Sequence, residues 1–289
     1  MSEPRVLAGR EAARALEHDV RIRSTRLGSP ESPLTLAIVR VGSDPAAEGY
    51  GRQLLRTCKR VGIGARTEAL APDASLADLG RALARLGADP AVHGILVQTP
   101  LPRGLSATAV ARAVPPSKDV DCISPEGLGL LFLGVSTVAP ATAAAVDYLL
   151  AYYGIALEGR LVVVIGRSNS VGKPVAHLML QHNATVSVCH SRTPDVPAVA
   201  SKGDVLIVAV GRKHLVDARY VKPGAVVVDV GTNYEAAAVY GDVNFDAVAP
   251  IVSAITPVPG GIGPLTNLCL LQNLVTLAER AGGGGSSPR

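Results

Sequence analysis

An apolar run, Leu161 to Ile165, leads directly into Gly166-Arg167-Ser168-Asn169-Ser170-Val171-Gly172-Lys173-Pro174 and then into a helical pattern, Val175 to Gln181. A glycine-bearing turn from strand to helix lets backbone N–H groups at the helix N-terminus approach a pyrophosphate. The spacing is not GxGxxG, so this turn alone fits either a nucleotide site or a tight connection. The following strand, Thr185 to Cys189, ends in His190-Ser191-Arg192-Thr193. An NAD site places an Asp or Glu about 20 residues on, to hold the ribose 2′-hydroxyl. No carboxylate stands there, and hydroxyls beside an arginine suit a 2′-phosphate, which favours NADP.

Other residues able to do chemistry sit at strand ends. Gly211 follows Ala209-Val210, and Gly231-Thr232-Asn233 follows Val228-Asp229-Val230; both fall where ligands bind in parallel sheets. Thr256-Pro257-Val258-Pro259-Gly260-Gly261-Ile262-Gly263-Pro264 is stiff through its prolines, and its glycines leave it bare enough for a flat ligand to approach. Val97-Gln98-Thr99-Pro100-Leu101-Pro102 closes an earlier strand, because proline cannot continue the ladder. Lys118-Asp119-Val120-Asp121 follows two prolines, and Tyr50 lies on a predicted helix.

The elements that must position these residues alternate from end to end, which predicts an α/β protein with largely parallel sheets. In the first half, strands are expected at Leu34 to Val41, Arg66 to Leu70 and Val92 to Gln98, with helices from Asp44-Pro45 to about Val61 and from Ala74 to Leu86. The stretch 115–121 reads as a first crossing between domains. After a helix at Ala141 to Tyr153, the second half has strands at Leu161 to Ile165, Thr185 to Cys189, Val205 to Val210, Val226 to Val230 and Ile251 to Ile255. The last helix, Leu265 to Arg280, is expected to return to the first domain. Residues 282–289 are Gly/Ser-rich and read as a disordered tail.

A chain of 289 residues suits two domains with a cleft between them, and 48% apolar against 18% charged residues supplies enough core. The net charge of +4 is scattered and aromatic residues are scarce, which argues against nucleic acid as a partner. The four cysteines form no CxxC pair and the six histidines no HxxxH, so no metal or disulfide framework is indicated. With no signal-peptide core and no apolar run near the roughly 18 residues a span requires, a cytoplasmic protein is expected.

Taken together in order, the motifs at 166–174, 97–102, 118–121 and 256–264 resemble the methylenetetrahydrofolate dehydrogenase/cyclohydrolase family, often called FolD, from about residue 5 to residue 281. The resemblance implies an N-terminal α/β catalytic domain (1–139, completed by the helix 265–281) and a Rossmann-like NADP-binding domain (140–264). It implies a homodimer, a one-carbon derivative of tetrahydrofolate as substrate, and NADP as cofactor. Tyr50 then matches the tyrosine that stacks on the folate, Gln98 the glutamine of the family's VQxPLP, and Asp121 the aspartate that holds the pterin. Val97, Pro100, Leu101, Pro259, Gly260 and Gly261 would border the substrate. Gly166, Arg167, Ser168, Val171, Gly172, Ser191, Arg192 and Thr232 would contact the cofactor.

The chain also departs from the family. The family's YxxxK puts a lysine one helical turn after the tyrosine, with both side chains facing the cleft; here that position is Leu54. Arg52 and Arg56 point off that face. The family's DG is Asp121-Cys122, its following asparagine is Gly127, and its PCTP is Pro140-Ala141-Thr142-Ala143. The leading function is an NADP-dependent methylenetetrahydrofolate dehydrogenase with weak or absent cyclohydrolase activity; the alternatives are an oxidoreductase paralogue acting on another substrate and a non-catalytic NADP or folate sensor, against which intact Tyr50, Gln98 and Asp121 argue.

Overall fold

A two-residue strand, β1 (Arg5–Val6), precedes α1 (Gly9–Leu27); β2 (Thr35–Val41), α2 (Pro45–Arg60), β3 (Gly64–Leu70), α3 (Leu76–Ala88) and β4 (Gly94–Val97) follow, then the short helices α4 (Ala107–Ala113) and α5 (Pro125–Phe132). The second alternation runs α6 (Ala141–Tyr152), β5 (Leu161–Ile165), α7 (Gly172–Gln181), β6 (Thr185–Cys189), α8 (Val196–Ala200), β7 (Val205–Val208) and β8 (Val226–Asp229). An antiparallel pair, β9 (Asn233–Glu235) and β10 (Ala238–Tyr240), then leads to α9 (Phe245–Val248), β11 (Ala254–Ile255) and α10 (Gly263–Ala281). The computed structural model describes residues 3–136, 138–235 and 238–282, so most of the expected tail, 283–289, lies outside the described residues. The chain forms two units, residues 1–14 with 142–266 and residues 15–141 with 267–289. Both are α/β.

The unit holding 15–141 is built on a parallel sheet in the order β3-β2-β4. Along β2 the side chains alternate. Ala37, Val39 and Val41 pack with Leu79, Leu83 and Leu86 of α3 and with Ile95 and Val97 of β4. Leu36, Ile38 and Arg40 therefore take the opposite face, and Gln98, one residue past Val97, joins them. Asp44 caps α2, its carboxylate accepting the Ala47 N–H at 2.8 Å, and Pro45 occupies the first turn, where a missing N–H costs nothing.

The expected domain crossing at 115–121 lies inside this unit. Asp119 bridges Ile95 of β4, and Gly94 makes room: a side chain there would come within 2.3 Å of Val120. Lys118 donates to the carbonyls of Leu86 (3.2 Å) and Asp89 (2.7 Å), satisfying groups left open at the end of α3. From α10, buried Asn273 donates through Nδ2 to the carbonyls of Val120 (2.8 Å) and Ala139 (2.7 Å). One amide thus ties two otherwise irregular segments.

The other unit carries a six-stranded sheet in the order β1-β11-β8-β7-β5-β6, parallel throughout. Its strands are continuous runs of valine and isoleucine, as a sheet covered on both faces requires. Arg5 and Val6, which the sequence reading assigned to the first domain, pair here with Ala254 and Ile255. Strand β7 stops at Val208 rather than Val210 because the N–H groups of Val210 and Gly211 turn to the Asp242 carboxylate.

Asn273→Leu leaves two buried carbonyls unsatisfied, each at roughly 1–3 kcal/mol. The expected loss is about 2–4 kcal/mol, read as a lower denaturation midpoint with unchanged slope; a midpoint equal to that of the parent chain would refute the bridging role.

Candidate active site

Helix α2 carries its buried residues at Ala47, Leu54, Thr57, Cys58 and Val61, one stripe along the face turned to the sheet. Leu54 belongs to that stripe with 0% exposure, whereas Tyr50 keeps 38%. Leu54 is thus enclosed at its position one turn after Tyr50, an uncharged side chain gaining by burial there. Although the Tyr50 ring is partly exposed, enclosure of its hydroxyl, and then the Asp121 charge and Cys58, raise the phenol above its ordinary range.

Gln98 is only 6% exposed and extends β4 by one bond, its N–H donating to Val39 O at 2.8 Å. Its side-chain Nε2 donates to Ala47 O at 2.9 Å, laying the amide against Gly51; a Cβ at Gly51 would lie 3.1 Å from that nitrogen. Val97 faces the opposite way into the α3 core, and Leu101 packs partly against the same cluster, so neither presents its side chain beside Gln98. Pro100 is exposed, after a cis Thr99–Pro100 bond.

Asp121 accepts from Ala141 N at 3.2 Å. Burial, partly offset by that bond and reinforced by Asp119, pushes its carboxyl up to about 6. Cys122, where the family has glycine, adopts a left-handed backbone (φ 49°). Its sulfur lies 3.2 Å from where a Cβ at Gly127 would stand. A Cβ at Gly127 would lie nearer still to Ser124 Oγ, at 3.0 Å, and the contact of Asp121 with Ala141 is through backbone.

In the other unit, the sheet order reverses at β5, with β6 on one side and β7 on the other, and ligands bind at such points. Gly166 leaves β5 with φ 129°, and a Cβ there would meet Ala209 O at 2.2 Å; one at Gly172 would meet Gly166 O at 2.3 Å. Only glycine lets the turn fold this tightly. Ser168 Oγ accepts from the N–H groups of Val171 (3.1 Å) and Gly172 (3.3 Å), holding the loop to the start of α7. Gly166 N donates to Cys189 O at 2.9 Å, so Arg167 and Ser168 leave the sheet beside Ser191 and Arg192, all four exposed. Thr232 is exposed beyond β8. The expected cofactor residues thus share one sheet edge, and a bare glycine turn beside arginines and hydroxyls fits a dinucleotide with a 2′-phosphate.

Pro259, Gly260 and Gly261 belong to this second unit. Gly9 N donates to Gly260 O at 2.7 Å, and a Cβ at Gly9 would lie 1.8 Å from Gly261 O, so this crossing requires glycine at position 9. Gly260 takes φ 107°, and a Cβ at Gly261 would lie 2.7 Å from Pro257 O.

Two residues escaped the sequence reading. Asp242, with 0% exposure, accepts from the N–H groups of Val210 (2.7 Å), Gly211 (2.9 Å) and Arg212 (2.7 Å) and from Asn233 Nδ2 (2.9 Å). Asp229 accepts from the N–H groups of Gly231 (2.9 Å), Asp242 (3.0 Å) and Val243 (2.9 Å). Burial pushes Asp229 up to about 6, opposed by those donors and assisted by Asp242. The signal was Gly241 before Asp242: a Cβ at Gly241 would lie 1.9 Å from the Asp229 carboxylate.

The raised Asp121 value has a direct consequence. A folded-state pKa of about 6, above the ordinary 3.8, stabilises the fold fully below pH 4 and loses that contribution as pH rises through 6. Asp121→Asn should therefore be more stable than the parent at pH 7.5, by up to about 3 kcal/mol, with the gap closing towards pH 4. Thermal midpoints across this range decide it, and a gap that does not vary with pH would contradict the assignment.

Residues 7–121 match the family model of the tetrahydrofolate dehydrogenase/cyclohydrolase catalytic domain, and residues 140–282 that of its NAD(P)-binding domain. The bifunctional protein FolD of Parafrankia sp. (strain EAN1pec) is 48% identical over 280 residues, 97% of this chain and 100% of that one. Among solved structures, the bifunctional FolD methylenetetrahydrofolate dehydrogenase/cyclohydrolase of Campylobacter jejuni superposes with a TM-score of 0.92 at 37% identity, covering 96% of this chain and 99% of that one. The Trypanosoma brucei FolD, complexed with NADP and an inhibitor, gives 0.91 at 32% identity, covering 98% and 99%. With both domain models matched in order and relatives of this identity spanning the whole of their length, the chain belongs to the tetrahydrofolate dehydrogenase/cyclohydrolase family.

Proposed function

We propose that this chain is an NADP-dependent methylenetetrahydrofolate dehydrogenase in which hydrolysis of the methenyl product is weak or absent. The observation that carries the second half is Leu54: fully buried, it fills the position one turn after Tyr50, and the Gln98 amide is engaged by Ala47 O.

When bound, NADP would supply the hydride acceptor for the one-carbon bridge of the substrate. Gly166, Arg167, Ser168, Val171, Gly172, Ser191, Arg192 and Thr232 would hold it, with the arginines and hydroxyls suited to the 2′-phosphate. Tyr50 offers its ring for stacking, and its raised phenol stays protonated, so it does not serve as a base. Asp121 grips the pterin edge, and its carboxyl near 6 can accept or donate a hydrogen bond there. Oxidation asks the protein chiefly to align two carbons. Hydrolysis of the methenyl cation also asks for a group that takes a proton from water, and loss of such a group removes about 10²–10⁴-fold of rate. Neither leucine nor glutamine can do this. The protein works as a cytoplasmic homodimer; among the described residues no helix is long and apolar enough to cross a membrane.

Purified protein with 5,10-methylenetetrahydrofolate should reduce NADP at least about tenfold more efficiently than NAD, since a charge-assisted contact contributes roughly 1.5–3 kcal/mol. The methenyl absorbance should then decay no faster than without enzyme, and Leu54→Lys should accelerate that decay. Rapid decay with the parent chain would show that another group moves the proton.

Asp242 orders the loop Val210 to Arg212 and, through Asn233, the segment carrying Thr232. Asp242→Asn would set an amide N–H against backbone N–H donors. NADP affinity measured by calorimetry should fall about tenfold or more, the cost of losing hydrogen bonds to a charged acceptor; wild-type affinity would place this loop outside the cofactor site.

A further inference from the structure

Strand β6 ends at Cys189, whose carbonyl accepts the Gly166 N–H at 2.9 Å, and the chain then leaves the ladder. Backbone groups that leave a sheet must find other partners. Thr193 N donates to His190 O at 2.8 Å, which closes a β-turn with Ser191 and Arg192 at its centre. The Thr193 hydroxyl accepts the His190 N–H at 3.0 Å, and the half-buried His190 imidazole accepts the Arg192 N–H through Nδ1 at 3.2 Å. Among the described residues, only the Ser191 N–H of this turn has no acceptor.

A side chain that accepts the N–H two residues on is the device by which Asn and Asp build turns, and His190 uses a ring nitrogen for it. The choice matters because of its place. In an NAD site the end of this strand carries a carboxylate for the ribose hydroxyl. A carboxylate at 190 would close the same turn while setting a negative charge against a phosphate. Imidazole closes it without that charge. The turn then offers the open Ser191 N–H, the Ser191 hydroxyl and the Arg192 guanidinium, both side chains exposed, which is a donor set suited to an anion.

We infer that His190 is a positioning residue that presets the turn 190–193 for the 2′-phosphate of NADP, and so contributes to the choice of NADP over NAD. The inference rests on the reading of Ser191 and Arg192 as the 2′-phosphate site. His190 acts through Arg192, whose N–H it holds, while Thr193 holds the His190 N–H from the far end of the turn. Without the imidazole the turn must be ordered at the moment the phosphate binds. That cost falls on ligands that carry the phosphate and spares those that lack it.

Calorimetric titration of the full chain with adenosine 2′,5′-bisphosphate, and with 5′-AMP as the ligand lacking the 2′-phosphate, reads this turn without folate or turnover. The parent chain should bind the bisphosphate about tenfold or more the tighter of the two. His190→Leu should weaken the bisphosphate about three- to tenfold, the equivalent of one hydrogen bond, and leave 5′-AMP within about twofold. His190→Asn, whose amide oxygen can take the Arg192 N–H, should recover most of that loss, and Thr193→Val should reproduce it. His190→Asp closes the turn but adds the charge, so it should weaken the bisphosphate while sparing 5′-AMP. A histidine that serves only the fold predicts instead that His190→Leu weakens both ligands alike and that asparagine does not rescue the difference; either result overturns the proposal. Unchanged discrimination in His190→Leu overturns the positioning role and leaves the 2′-phosphate reading standing, whereas a parent chain that binds both ligands alike removes that reading and the proposal with it. Should leucine unfold the chain, equal bisphosphate affinity of the Asn and Asp variants refutes the role.

Discussion

Loops that leave the carboxyl ends of parallel strands quit the ladder while still enclosed, and every backbone N–H and C=O they carry must find another partner. This chain meets the requirement with three buried polar side chains. Asp229 and Asp242 together take the donors of the loops after β7 and β8, and Asn273 takes the carbonyls of Val120 and Ala139. The segments so held carry Thr232 in one unit and Asp121 in the other. The loop positions of Thr232 and Asp121 are thereby set by buried residues distant from them in sequence or on neighbouring loops. Carboxylates suit the first task because converging N–H groups form a positive concavity; an amide suits the second because it offers two donors from one nitrogen.

Burial of Asp229 raises its carboxyl, and three donors pull the other way. The balance explains why such a group is tolerated: an isolated buried charge would be expensive, whereas one enclosed by oriented backbone dipoles is not. The glycines nearby follow from the same crowding. Gly231 and Gly241 stand where a side chain would strike Asp242 or Asp229, so the carboxylates and the glycines require each other.

The exchange of lysine for leucine at position 54 has consequences beyond chemistry. Leu54 is fully enclosed, and the Gln98 amide donates to Ala47 O. Positive charge near Gln98 now comes from Arg40 on the sheet. A guanidinium stays charged across the accessible pH range, so it does not shuttle protons.

By itself the sequence determined the alternation of strands and helices, the glycine turn after β5, the absence of a carboxylate after β6, and the motifs that carry Tyr50, Gln98 and Asp121. These are local signals: side-chain periodicity, turn chemistry and short spacings survive in one dimension. Which way Leu54 and Val97 point was decided by packing, since each lies beside a polar neighbour and either face was open to it. That Gly9 makes room for the backbone of Gly260 and Gly261, that residues 115–121 stay within one unit, and that Asn273 reaches Val120 across 153 residues were decided only in three dimensions. Hydrogen bonds between distant segments leave no period in the chain, because their partners meet only after the apolar faces have been buried.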